Sequence, residues 1–156
     1  MTIKVLFVCH GNICRSPMAE FLLKDRVQKL GLADKFEIAS AATSREELGN
    51  PVHYGTRNKL AQYGISVAGK YARQMTQKDY QYYDYVLLMD RNNVRNLRYI
   101  INEDSQHKVY LLLDFTSRAG QSIADPWYTG DFDATYDDIQ EGLDGFMDYL
   151  SRNGLL

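Results

Sequence analysis

The two cysteines of this 156-residue chain, Cys9 and Cys14, fall in one short stretch, "VCHGNICRSPMAE" (residues 8 to 20), between an apolar run and a helix-like pattern. A loop running from a strand end at Cys9 to a helix start near Arg15 aims successive backbone N–H groups inward and so forms an anion cradle. Arg15 adds a planar fork of donors matched to two oxygens of a phosphate. The same field favours thiolate over thiol at Cys9. A thiolate at the base of an anion site suits nucleophilic attack on phosphorus. The hydroxyl of Ser16 can donate to the Cys9 sulfur and stabilise it as a leaving group in a second step. Gly11 permits the tight backbone, and Asn12 tolerates a left-handed conformation. His10, Ile13 and Cys14 complete the loop and are candidate contacts to a bound phosphate ester.

Other uses of these residues are less well matched. A thioredoxin-like redox pair has two residues between its cysteines, and here there are four. His10, His53 and His107 are scattered, so with two cysteines they do not make a metal site. Ser16 followed by Pro17 also reads as a helix N-cap and first turn, a role compatible with assisting Cys9. Cys14 is close enough in the loop to trap an oxidised Cys9 as a disulfide.

The elements that must hold this loop alternate between strand and helix. "IKVLFVC" (3 to 9) reads as a parallel strand buried on both faces. "SPMAEFLLKDRVQKLG" follows as a helix stopped by Gly31, and "KFEIASAAT" (35 to 43) as a second strand. "GTRNKLAQYGI" (55 to 65) is a helix closed by Gly64. "YDYVLLMD" (83 to 90) and "HKVYLLLDF" (107 to 115) are buried strands separated by helical "RNNVRNLRYII". The tyrosine-rich "YQYYDYV" reads as a half-buried junction from helix to strand. "TYDDIQEGLDGFMDYLSRNG" (135 to 154) is a terminal helix with Ile139, Leu143, Phe146, Met147 and Leu150 on one face. With no repeat or low-complexity linker, the pattern predicts one α/β domain, a parallel sheet with helices on both faces. In such sheets ligands bind beyond the carboxyl ends of the strands, where "CHGNICR" falls.

Bulk properties restrict the partners. Apolar residues make up 45% and charged ones 24%, with a net charge of -2, so neither nucleic acid nor an anionic membrane is an expected partner. No apolar stretch approaches the ~20 residues of a membrane span. Residues 3 to 8 are too short a run for a signal peptide, which with two uncrosslinked cysteines points to the cytoplasm.

The loop "VCHGNICRSPMAE" resembles the active-site loop of the low-molecular-weight protein tyrosine phosphatases. "SAAT" (40 to 43), "ARQ" (72 to 74), "LLMD" (87 to 90) and "ADPWYTGDF" (124 to 132) resemble further family segments in the family's order. The resemblance spans nearly all of residues 1–156. It implies a four-stranded parallel sheet and hydrolysis of phosphotyrosine in proteins through a phosphocysteine, without metal or cofactor, by a monomer or weakly self-associating chain. By this likeness Cys9 is the nucleophile, Arg15 the phosphate clamp and Ser16 the thiolate partner. Asn12, Ser16 and Ser40 belong to the network supporting the loop. Such a mechanism needs one carboxylic acid to protonate the leaving oxygen and then deprotonate water. Asp125 stands where the family carries it, and Pro126 restricts Asp125 to extended geometry, which can aim the side chain rather than let it cap a turn. Trp127 and Tyr128 match an aromatic rim that receives a flat phenyl ring.

Two positions depart from the family. Lys70 stands where many members carry a histidine, so the support of Asn12 and Ser40 must differ. Glu46 or Glu47 replaces a bulky aromatic on the cleft wall and gives an acidic rim. An arsenate reductase on the same loop would need cysteines beyond Cys14, and a phosphocysteine carrier would not need Arg15 together with Asp125. A protein arginine phosphatase of the same fold is the closer alternative. In that branch the position of Ile13 looks to be threonine, and isoleucine suits an aryl ester better.

Overall fold

The apolar run Ile3–Cys9 (β1) is the inner strand of a four-stranded parallel sheet in a computed structural model that describes residues 1–156. Phe36–Ala42 (β2) lies on one side of it; Tyr85–Leu88 (β3) and then Val109–Leu111 (β4) lie on the other, giving the order β2-β1-β3-β4. Because β1 is paired along both edges and covered on both faces from Val5 onward, each position from Val5 to Cys9 has an apolar demand. Alternation then sends Val5, Phe7 and Cys9 to one layer and Leu6 and Val8 to the other.

The first layer is built by three helices: Arg15–Lys29 (α1), Tyr54–Ala61 (α2) and Phe132–Arg152 (α6). They pack Leu23, Leu60, Leu143 and Phe146 against Phe7 and Leu87. On the opposite face, Gln77–Tyr82 (α3) and Arg91–Leu97 (α4) supply Tyr80 and Leu97 against Leu6, Val8 and Val86. A single turn, Pro126–Thr129 (α5), precedes α6. No helix is long and apolar enough to cross a membrane.

Three of the sequence expectations need correction. The strand expected over residues 107–115 ends at Leu111, and Leu112–Phe115 forms a 3-10 turn. Asp114 causes the break: one carboxylate oxygen accepts the Leu111 N–H at 2.9 Å and the other the Gly120 N–H at 2.8 Å. α6 lies directly on that turn, with Gly142 against the Leu112 side chain and Gly145 against the Phe115 carbonyl, where no Cβ fits. α6 also starts earlier than its apolar face suggested, because Asp131 caps it by accepting the Ala134 N–H at 2.9 Å. Lastly, Ser16 is not the N-cap of the first helix. Cys14 holds that position, without a side-chain cap, and Ser16 lies inside the first turn. The tyrosine-rich junction does run from helix to strand, α3 ending at Tyr82 and β3 starting at Tyr85.

Candidate active site

β1 delivers Cys9 to the carboxyl edge of the sheet, and residues 10–14 turn from there into α1. The carbonyls of this loop are tied outward. Cys9 O accepts from Thr43 N–H (2.9 Å), His10 O from Ser44 N–H (3.1 Å) and Ile13 O from His53 N–H (2.9 Å). With the carbonyls held that way, none of the backbone N–H groups from His10 to Cys14 finds a backbone carbonyl. They are left as free donors between Cys9 and α1, which is what an anion site at a helix N-terminus requires. Asn12 has φ 59°, as its residue type predicted. Gly11 does not have positive φ. It is needed for space instead, since a Cβ there would come within 3.3 Å of Glu47 Cγ.

Behind the loop lies a closed chain of polar side chains. Asn12 Nδ2 donates to Ser16 Oγ at 2.7 Å and Ser40 Oγ at 2.9 Å, while Asn12 Oδ1 accepts the Arg73 N–H at 3.2 Å. Ser16 Oγ lies 3.1 Å from Cys9 Sγ, with Ala41 O at 3.5 Å as its longer alternative. Ser40 donates onward to Glu20 Oε1 at 2.5 Å. Lys70 closes the network from outside, donating to Ser40 O at 2.9 Å and facing Glu20 Oε1 at 3.6 Å. The buried Glu20 carboxylate is thus faced by two ammonium groups, Lys70 and, at 2.6 Å, Lys24. Burial lowers the Lys70 pKa, Glu20 counteracts this, and neighbouring Arg73 adds to it.

Arg15 is almost fully buried and its two faces differ. Nη1 donates to Asp90 Oδ2 at 2.7 Å and to Ile123 O at 2.9 Å, which fixes the plane of the guanidinium. Nη2 approaches Asp125 Oδ2 at 3.4 Å, and Nε is buried with no partner. Burial opposes the charge, but Cys9, Asp90 and Asp125 outweigh it and raise the Arg15 pKa. One clamp edge is thus anchored and the other is left facing the cradle.

Asp125 has the extended backbone that Pro126 imposes (φ −79°, ψ 115°). Contrary to expectation it also caps a turn, as Oδ1 accepts the Trp127 N–H at 3.0 Å. Its second oxygen remains on the cleft side toward Arg15. The cap is therefore what aims the acid.

Cys9, Arg15, Asp125, His10, Gly11, Ile13, Cys14, Trp127 and Tyr128 all line one cleft of about 130 Å³, together with Glu46 and Glu47. Asn12 and Ser16, expected to touch substrate, do not line it; their side chains are spent on the support network with Ser40. At the mouth, His10 Nε2 and Glu46 Oε2 pair at 2.7 Å. Burial, with a smaller contribution from the Cys9 charge, pushes the Cys14 thiol up to about 12. Cys14 therefore stays a neutral thiol at ordinary pH.

Four residues of the site escaped the sequence reading. Asp90 was visible only as the end of "LLMD", yet β3 pairs Val8 with Leu88, which sets Asp90 level with His10 and beside Arg15. Glu20 lies one turn beyond Ser16 on the buried side of α1, a lone acid among apolar residues. Arg73 contributes a backbone N–H that no side-chain pattern reveals. His53 accepts the Gly55 N–H at 3.0 Å, stacks on Phe132 at 5.4 Å and meets the edge of Trp127 at 5.5 Å. Burial lowers the His53 pKa, against the pull of Glu47 and Asp125, so the ring that steadies Trp127 is neutral near pH 7.

A thiol at the base of a strand-to-helix anion loop, with an anchored guanidinium, defines a site for a phosphate or a similar oxyanion. Comparison with known proteins gives the family. Residues 4–155 match the model of the low molecular weight phosphotyrosine protein phosphatases. A low-molecular-weight protein-tyrosine-phosphatase of Staphylococcus epidermidis, PtpA, is 36% identical over 99% of this chain and 97% of its own. The crystal structure of YfkJ from Bacillus subtilis superposes with a TM-score of 0.92 at 36% identity, covering 98% of this chain and 97% of that one. A Drosophila arginine phosphatase superposes at 0.85 with 30% identity, covering 94% and 97%. The chain belongs to the low-molecular-weight phosphotyrosine protein phosphatase family.

Proposed function

We propose that this chain hydrolyses phosphotyrosine in proteins by way of a phosphocysteine, with Cys9, Arg15 and Asp125 as the catalytic residues. The observation that carries the reading is the run of unpartnered N–H groups between Cys9 and α1, completed by the free Nε edge of Arg15. These donors can hold the nonbridging phosphate oxygens while the Cys9 thiolate attacks phosphorus in line with the ester bond. The bond from phosphorus to the phenolic oxygen breaks, and Asp125 gives that oxygen a proton. In the second step the Asp125 carboxylate takes a proton from water, and the resulting hydroxide displaces sulfur from phosphorus. Ser16, whose oxygen already accepts from Asn12, can turn its hydrogen toward the departing thiolate. No step draws on a metal or cofactor.

Phosphotyrosine is favoured over phosphoarginine by the walls. Ile13 lines the cleft with apolar bulk and offers no hydrogen bond to a guanidinium. Trp127 and Tyr128 flank the mouth as aromatic surfaces for a phenol ring. Phosphoserine has too short a stem to bring phosphorus to the buried Cys9. The substrate is thus a phosphoprotein, and two buried free thiols fit a reducing compartment such as the cytoplasm. The test is kcat/KM on matched phosphotyrosine and phosphoarginine peptides. Wild type should prefer phosphotyrosine, and Ile13→Thr should shift the ratio toward phosphoarginine. A wild type preferring phosphoarginine overturns this choice of substrate.

A further inference from the structure

We propose that a groove beside the phosphate cleft holds the main chain of the phosphoprotein next to its phosphorylated residue, with Asn92 and Asn96 of α4 as the side chains that bind it. The proposal rests on the phosphoprotein reading above. The groove has a volume of about 490 Å³ and shares His10, Arg15, Asp125 and Tyr128 with the cleft. A polypeptide whose phosphorylated side chain enters the cleft therefore passes into the groove without a gap.

The chemistry of the groove suits peptide groups rather than a second ion. Its acidic groups are already matched: Asp90 and Asp125 lie against Arg15. Arg91 donates from Nε to Gly120 O at 3.0 Å, and His10 is held by Glu46. Beside the Arg91 guanidinium, the groove offers neutral groups that both donate and accept. The Asn92 and Asn96 amides line the groove, and Ser122 Oγ accepts the Arg91 N–H at 3.2 Å while keeping its own hydrogen. Asn93, fully buried on the same lining, gives its Oδ1 to the Met89 and Asp90 N–H groups, both at 3.1 Å. Its Nδ2 has no partner in the protein. A buried amide left that way is uncommon.

The spacing also fits. Asn92 and Asn96 are four residues apart on one helix face, about 6 Å along the axis. Alternate residues of an extended chain are separated by about 6.6 Å. Each amide can then take one peptide unit of an extended substrate, reading shape and main chain but not side-chain identity.

This binding is remote from the reacting atoms, so it acts on peptides and not on small aryl phosphates. The experiment compares kcat/KM for a phosphotyrosine peptide and for p-nitrophenyl phosphate in wild type and in Asn92→Ala/Asn96→Ala. The peptide value should fall about tenfold or more, mainly through KM, while p-nitrophenyl phosphate turnover stays at the wild-type level. Truncating the peptide on one side of phosphotyrosine should cost wild type the same factor and cost the variant almost nothing. Unchanged peptide kinetics in the variant overturns the groove alone, as does an equal loss on both substrates. A wild type that cleaves p-nitrophenyl phosphate but leaves the peptide intact overturns the phosphoprotein reading, and the groove with it.

Discussion

The floor and the rim of the cleft are built on opposite principles. On the floor, Asn12, Arg15, Ser16 and Ser40 are each at most 2% exposed, and every one is engaged by a buried partner. At the rim, Trp127 is 56% and Tyr128 83% exposed. There the Glu46 side chain is 69% exposed and its tie to His10 is a surface pair. Buried polar groups at low dielectric are costly to disturb, so the floor fixes one geometry for phosphate. Exposed side chains cost little to exchange, so the rim is where substrate choice can vary without touching the chemistry. The two positions that the resemblance set apart follow the same division. Lys70, in the support, is compensated by Glu20; Glu46, at the rim, has only its surface partner His10.

Substitutions at the floor should therefore dominate. Cys9→Ser should leave a folded protein with no measurable turnover, and substantial turnover in it would remove the covalent route. Asp125→Asn should slow poor leaving groups most and activated aryl phosphates least, within the ~10²–10⁴-fold range of general acid catalysis. An equal, small loss across leaving groups would make Asp125 a capping residue only. Lys70→Met removes one partner of a buried pair and should cost about 1–3 kcal/mol of stability in denaturant titration, with a lower kcat. Adding Glu20→Gln should restore part of that stability, because the buried carboxylate, then held by Lys24 alone, is gone. If the double variant is no better than Lys70→Met, the pair is not the source of the support.

The two thiols offer a pH test of the same contrast. Cys14 in the folded chain ionises only near 12, against 9.0 for the free group, so its neutral form favours folding below pH 9 and that contribution is lost as pH rises toward 12. Alkylation of the folded chain at pH 7 should spare Cys14 until the chain is unfolded. Labelling of Cys14 in the folded protein would contradict the burial argument. At the rim, Glu46→Gln should change kcat/KM only about threefold, on peptides carrying a basic residue beside phosphotyrosine. A larger change on p-nitrophenyl phosphate would mean that the rim reaches the chemistry.

Much of the floor could be read in the sequence because its signal is local. Cys9, Asn12, Arg15 and Ser16 lie within eight residues, and the apolar runs around them set the parallel sheet. Asp90 and Arg73 were not legible, because strand order and register bring them to the loop; Glu20 is local to the loop, but its role appears only once β2 sets Ser40 against it. The apolar content of residues 107–115 suggested a strand, but a side-chain contact from Asp114 ended it at Leu111. Asp125 was legible as a residue but not as a cap, since its hydrogen bond to the Trp127 N–H depends on α5, too short to leave a periodic signature.

The most direct measurement of the central claim is acid quenching of the enzyme during turnover of a phosphotyrosine peptide, followed by mass mapping of the phosphate adduct. The account predicts phosphate on the fragment containing Cys9, absent from Cys9→Ser and unaffected by Cys14→Ser. Phosphate on another residue, or wild-type turnover with no adduct captured at any quench time, would contradict it.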